Sequence, residues 1–273
     1  MAKNSKNILT IAISTIFDNR ERLINYLFGI SDRVPSSIIF LVISQLEKNN
    51  YREHVSENIK LITSTDKGLS KSRNIAIDDC STEWIWFQDD DIELLTDSLQ
   101  KLVKFLSGYS GDFVLGKVLS SENEDNFFKD YSRYYVRSDF LAFRVSSIEM
   151  ISKVEFLRPK KIRFDENLGL GAYLPSCEEN LFFYDSIRRN HGKYTILDFP
   201  VCCHTTNIDT RKINQAGRYK ARGYLLAKIR SHVSPFILIW WSVRPALDGV
   251  PRLVRLCLML SGVAIVVRNY FRR

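Results

Sequence analysis

Over the first 120 residues, apolar positions fall into short continuous runs separated by stretches of helical spacing. Ile8–Ile13, Ile38–Ile43 and, more weakly, Ile59–Thr63 are apolar runs of β-branched character, the length of buried strands. Trp84–Phe87 is a fourth, ending in Gln88-Asp89-Asp90-Asp91. Between them, Asp18-Asn19-Arg20-Glu21 reads as a capping box with Asp18 as N-cap, followed by Leu23, Ile24, Leu27 and Phe28 at helical spacing. A short helix is predicted over Leu69–Asp79, and another from Thr96 with Leu99, Leu102, Val103 and Leu106 on one face. Apolar strands alternating with helices predict an α/β fold with a mostly parallel central sheet covered on both sides. Ligands of such sheets bind at the carboxyl ends of the strands. That rule puts Ser14, Thr15, Ser44, Gln45, Asp66 and Asp89–Asp91 along one edge.

The second half is less regular. Asp112–Val118, Phe140–Val145 and Tyr194–Phe199 have strand-like patterns, and the acidic Ser120–Asp130 reads as a mobile surface loop. Gly169 and Gly171 mark a loop before Cys177-Glu178-Glu179-Asn180, which opens a helix running to about Asn190. Phe236–Trp241 and Leu253–Val267 are strongly apolar, but the latter is only about 15 residues and is interrupted by Arg255. A bilayer span needs ~20. Pro235, Pro245 and Pro251 divide this region and arginines flank each piece, a pattern suited to helices lying in a membrane interface rather than crossing it. Two helices packed on the catalytic part are the plainer alternative.

Charge sharpens this division. The chain of 273 residues has a net charge of +8, yet residues 216–273 hold eleven Lys/Arg and one acid, so the first 215 residues are slightly acidic. We therefore expect a catalytic domain over 1–215 and a basic, apolar helical tail over 216–273 that associates with a membrane. No nucleic-acid partner is expected, because the basic charge sits on a hydrophobic tail. The N-terminus reads as a first strand, and five cysteines without a CxxC pair read as reduced thiols, so a cytoplasmic location is expected.

The chemistry centres on the aspartate triplet. Three adjacent carboxylates after Trp84-Ile85-Trp86-Phe87 repel one another unless a hard cation takes their charge, and a solvated acidic turn is the alternative. In an extended segment Asp89 and Asp91 point one way and Asp90 the other. A cation held there would bridge the phosphates of a nucleoside diphosphate leaving group.

Gly68–Ile77 (GLSKSRNIAI) followed by Ser81–Leu94 (STEWIWFQDDDIEL) resembles the signature of inverting family 2 glycosyltransferases of bacterial surface-polysaccharide type, over roughly residues 8–205. The resemblance implies a Rossmann-like GT-A fold and a nucleotide-sugar donor, most simply a UDP-sugar. It implies that Asp89 and Asp91 hold Mn²⁺ or Mg²⁺, that Asp90 reaches the ribose, and that Arg73 contacts the nucleotide. For Arg73 the alternative is a helix-surface charge paired with Asp78 or Asp79. Ser14, Thr15 and Asp66 would line the nucleotide pocket. The acid that usually follows the second strand is missing, with Ser44-Gln45 in its place; the Gln45 amide could still meet a base edge.

The resemblance also supplies a general base. Glu179 matches the base position and Glu178 is its neighbour, although acids at a helix start are favoured by the dipole alone, which would also lower their pKa. His204 is a candidate to complete the metal site, and Arg211 to close over the phosphates. The acceptor expected for a membrane-bound enzyme of this kind is a lipid-linked oligosaccharide, met at the cytoplasmic face of the inner membrane. A metal-dependent nucleotidyltransferase and a non-catalytic assembly factor on the same fold are the rivals.

Overall fold

The fold, obtained as a computed structural model, is described for residues 7–91, 93–121, 123–134, 138–204, 214–229, 234–244 and 249–271. The first half is built as the sequence predicts. β1 (Leu9–Ile16) leads into α1 (Phe17–Ile30), then β2 (Ile38–Gln45), the short β3 (Arg52–His54) and β4 (Ile59–Thr63). α2 (Leu69–Asp79), β5 (Trp84–Asp89), the two-residue β6 (Glu93–Leu94) and α3 (Thr96–Gly108) follow. β4, β2, β1 and β5 are parallel neighbours, so their carboxyl ends share one edge. Along that edge Ser14 lies opposite Asp89, and Ile16 opposite Gln45.

Beyond β5 the sheet is mixed. β7 (Phe113–Ser120) and β8 (Asn123–Phe127) are followed by α4 (Ser138–Leu141), β9 (Met150–Lys153) and α5 (Val154–Leu157). α6 (Glu178–Tyr184) runs into one π-helical turn, and β10 (Tyr194–His204) closes the domain. β9 lies antiparallel between β5 and β7, and β10 pairs parallel with β7.

Alternation along each strand assigns the two faces. Leu9, Ile11 and Ile13 face Leu23 and Leu27 of α1 and Leu99 and Leu102 of α3. Ala12, Ile85 and Phe87 face Ala76 and Ile77 of α2 and Phe182 and Phe183 of α6. On that second face Phe182 stacks on Phe164 with ring centroids 4.0 Å apart, and Phe87 meets both rings edge-on.

Three local expectations are corrected. The helix after β1 begins at Phe17 with an extended Ile16 as N-cap and no side-chain cap, so Asp18 lies in the first turn instead of capping it. The helix starts directly after the last paired residue of β1, Ile16, two residues earlier than a cap at Asp18 would start it. The acidic segment after Ser120 is a strand, β8, hydrogen-bonded back onto β7, with Phe127 opposite Leu119. Phe140–Val145 is the end of α4 and a turn, closed by bonds from Phe143, Arg144 and Val145 to carbonyls of Phe140 and Leu141.

The C-terminal segment forms α7 (Gln215–Ile229), α8 (Ser234–Val243) and α9 (Arg252–Phe271). α9 is one continuous helix of 20 residues with mean hydropathy 1.5, long and apolar enough by those measures to cross a membrane. The two features read as interruptions do not break it. Pro251 precedes the first turn, where its ring is tolerated. Arg255 lies on the face buried against α7, over the Tyr219 ring, and donates to the Arg244 carbonyl at 3.0 Å. α7 in turn packs on the catalytic part, with Tyr224, Leu225 and Ile229 in one cluster with Leu168, Leu174 and Leu181.

α7 and α9 cross in backbone contact through two glycines. A Cβ at Gly262 would fall 1.9 Å from the Lys220 carbonyl oxygen, and one at Gly223 would fall 1.8 Å from that of Met259. Small residues permit such an approach. Gly262→Val is expected to force the helices apart, lowering stability by at least ~1–3 kcal/mol and exposing α9 to protease. Thermal unfolding with limited proteolysis tests this; an unchanged cleavage pattern would show that the crossing tolerates a side chain.

Candidate active site

At the strand edge, side chains from separate elements tie together. Thr15 Oγ1 donates to Asp90 Oδ2 at 2.5 Å, and Asn19 Nδ2 donates to the same oxygen at 3.1 Å. Asp90 is thereby held toward the β1–α1 junction. The Gln45 side-chain oxygen accepts the Gly68 N–H at 2.7 Å, bridging β2 to the start of α2. Asp66 sits in the loop between them with a largely exposed side chain, 3.4 Å from the Lys71 ammonium.

An acid, Glu47, stands two residues beyond the second strand and is bonded within the protein. Leu46 adopts a left-handed backbone, φ 61°, and the chain turns so that Glu47 folds back. Glu47 accepts from Ser44 Oγ at 2.6 Å and from Arg20 at 2.5 Å, and is almost wholly buried. The signal for it was a hydrophobic residue at positive φ, which the sequence does not display.

Arg73 is the centre of the site. It is 1% exposed, on the inward face of α2. Its Nη2 donates to Asp89 Oδ1 at 2.9 Å and to Ser147 Oγ at 2.7 Å, and its Nη1 donates to Glu178 Oε1 at 3.1 Å. The guanidinium also lies over the Phe164 ring. It thus joins α2, the end of β5, the turn before β9 and the start of α6. The surface pairing with Asp78 or Asp79 does not form; those acids bind Arg163 and Arg52.

The start of α6 needs special backbone. Gly169 and Gly171 take φ of 100° and 82°, and Cys177, the N-cap, takes 74°. The glycine loop is pinned to α2: the Leu69 N–H donates to the Leu170 carbonyl at 2.9 Å and Ser70 Oγ to that of Leu168 at 2.6 Å. A Cβ at Gly171 would press on the Gly68 backbone at 3.2 Å. Glu178 is buried against Arg73. Glu179 is half-buried, and its carboxyl is pushed well above the usual range by burial and by Glu178, against a smaller opposing pull from Arg73. That outweighs the helix dipole, which alone would lower it. Burial pushes the Cys177 thiol up to about 12, which leaves it an inert packing group.

Asp91 follows the end of β5, with His204 Nε2 3.8 Å from its Oδ1. Its carboxyl is raised by burial and then by Asp89, with His204 opposing. Among the described residues no group of three His, Cys, Asp or Glu side chains is arranged to enclose a metal ion. Arg73 engages one oxygen of Asp89, leaving Asp91, His204 and the other Asp89 oxygen. Few protein oxygens completed by phosphates suit Mg²⁺ or Mn²⁺, so the donor set fits a cation arriving with a diphosphate. A cleft of about 490 Å³ collects Arg73, Asp89, Glu178, Glu179, His204 and Arg218 on its walls. Arg211 lies outside the described residues.

The fold and this cleft define a GT-A glycosyltransferase architecture, and comparison with known proteins agrees. The family model for glycosyl transferase family 2 matches residues 47–165. S. aureus TarS residues 1–349 in complex with UDP-GlcNAc superposes with a TM-score of 0.64 at 14% identity, over 94% of this chain and 81% of that one. The same TarS fragment in complex with UDP gives 0.57 at 16% identity, with the same coverage. The mannosyltransferase PcManGT from Pyrobaculum calidifontis, in complex with GDP-Man and Mn²⁺, gives 0.60 at 14% identity over 97% of this chain and 76% of that one. No curated protein matches the chain by sequence. By that match over residues 47–165 and by its fold, the chain is similar to family 2 glycosyltransferases.

Proposed function

We propose that the enzyme transfers a hexose or N-acetylhexosamine, with inversion, from a nucleoside diphosphate sugar to a hydroxyl of a lipid-linked saccharide in surface-polysaccharide assembly. The reading is carried by the arginine clamp, which brings Asp89, the first of the aspartate triplet, and the Glu178–Glu179 helix start to one cleft. UDP is the favoured nucleotide, on the likeness to TarS bound to UDP and UDP-GlcNAc. Thr15, Gln45, Asp66 and Asp90 border the nucleotide, with Ser14 behind them and Glu47 bracing the same edge. Asp91, His204 and Asp89 would hold Mn²⁺ or Mg²⁺, which supplies positive charge to the departing diphosphate.

Glu179 takes the proton from the acceptor hydroxyl as its oxygen attacks the anomeric carbon, and the bond from that carbon to the diphosphate oxygen breaks. Glu178 raises the basicity of Glu179 and is fixed by Arg73. Residues 1–215 form the catalytic part. Residues 216–273 bring it to the cytoplasmic face of the inner membrane through the exposed apolar surface of α9, including Leu253, Leu260 and Phe271. This anchoring raises the effective concentration of a membrane-bound acceptor.

Calorimetric titration with UDP, with and without Mn²⁺, tests the donor site. Wild-type binding is expected to require Mn²⁺, and Asp91→Asn to weaken it at least tenfold. Binding of GDP, CDP or dTDP in place of UDP would change the nucleotide and keep the site. Binding of none would move the assembly-factor reading to the front.

A further inference from the structure

A second, apolar groove opens between α8 and the turn after α4, with a volume of about 710 Å³. Its walls carry Phe140, Phe143, Phe236 and Trp240, and two arginines, Arg144 and Arg244, with no acid among its described lining residues. Phe140, Phe236 and Trp240 are all more than 40% exposed, an unusual concentration of aromatic surface. Phe143 meets Trp241 edge-on at 5.4 Å, fixing α8 against the turn, and the Arg244 guanidinium lies over the Trp240 ring. An apolar channel with a cationic rim suits a ligand that has a hydrocarbon chain and an anionic head.

The groove is joined to the catalytic cleft by the chain itself. Arg144 lines the groove, while Ser146 and Ser147 line the cleft. Two residues span at most ~7 Å of extended chain. This connecting segment is held at both ends by catalytic neighbours. Asn180, next to Glu179, donates to the Ala142 carbonyl at 2.8 Å, and Ser147 accepts from Arg73. Glu149 fixes it from below, accepting from the Ser146 N–H at 2.6 Å and from the Tyr131 and Tyr134 hydroxyls at 2.8 and 2.9 Å.

We propose that this groove binds the lipid anchor of the acceptor, a prenyl chain along the aromatic wall with its phosphate on Arg144 and Arg244. The inference rests on the lipid-linked acceptor reading and adds where the lipid sits. Its closeness to Glu179 favours an acceptor lipid over bulk membrane lipid, since a saccharide on the phosphate needs only a short reach to the base.

Tryptophan emission of the full chain provides the test. Trp84 and Trp86 are fully buried in the core, while Trp240 and Trp241 line the groove, so a groove ligand changes only the latter pair. Farnesyl phosphate below its micelle concentration is expected to quench emission saturably. Farnesol and inorganic phosphate should each bind at least tenfold more weakly. Arg144→Gln, at an exposed position, should weaken farnesyl phosphate at least tenfold. Phe236→Ser, also exposed, should weaken it and farnesol alike. No saturable quenching, or quenching indifferent to both substitutions, overturns the proposal. Displacement by phosphatidylglycerol vesicles at matched lipid phosphate overturns it too, by assigning the groove to bulk lipid. Transfer to a lipid-linked acceptor without farnesyl phosphate binding would remove the groove and leave the acceptor reading standing. Binding without any transfer to lipid would leave the groove as a prenyl phosphate site and remove that reading.

Discussion

Arg73→Ala is expected to abolish transfer and to lower folding stability by about 3–5 kcal/mol, the usual consequence of removing one partner from a buried ion pair. The side chain is almost wholly inaccessible and donates to Asp89, Glu178 and Ser147 at once. Without it, Glu178 becomes a buried charge with no counterion, and Asp89 loses the contact that orients it. Arg73→Lys should recover part of the stability and little of the activity, because an ammonium cannot reproduce a planar fork that reaches a helix, a strand and a turn at once. Urea unfolding and UDP calorimetry on both variants separate the two effects. An alanine variant with a wild-type unfolding midpoint would mean that water replaces the guanidinium and that the clamp is not structural.

The second large effect is at Glu179. Glu179→Gln is expected to lower kcat by ~10²–10⁴, the span attributed to a positioned general base, while leaving UDP affinity within about twofold of wild type. The raised carboxyl also sets a pH signature. Activity requires the ionised form, so the acid limb of kcat lies above the ordinary glutamate range. Glu178 contributes to that elevation by charge. Glu178→Gln should therefore move the limb to lower pH, since removing a negative neighbour makes Glu179 easier to ionise. A limb that stays in place or moves upward would show that Glu178 acts only through Arg73. A Glu179→Gln enzyme with wild-type kcat would place the base elsewhere.

The parallel half of the sheet was legible because each strand carries its own apolar run and each helix its own period. α2 was legible to its end residues, and so was the aspartate triplet at the end of β5. What the sequence concealed depends on contacts between distant positions. Arg73 and Glu178 are 105 residues apart, and a lone arginine on a polar helix carries no local mark of burial. Glu47 depended on an unusual backbone angle at Leu46. β8 has an acidic sequence, Asn123-Glu124-Asp125-Asn126-Phe127, without the alternation that reveals a strand; pairing with β7 stabilises it instead. α9 was under-read because Arg255 interrupts its apolar run, although the guanidinium is turned inward against α7 and the helix continues past it.

The glycine crossing of α7 and α9 bears on how acceptors are chosen. Where the two backbones touch, α9 is seated directly on α7, and α7 is packed in turn on Leu168, Leu174 and Leu181 beside the cleft. On the membrane reading, the height of the cleft above the lipid headgroups is then a fixed dimension of the protein. An acceptor glycan too short to rise to that height, or too long to present its growing end there, is refused by distance before its chemistry is read. On that reading the two glycines would make the protein a caliper, and altering their spacing would change which chain lengths it extends.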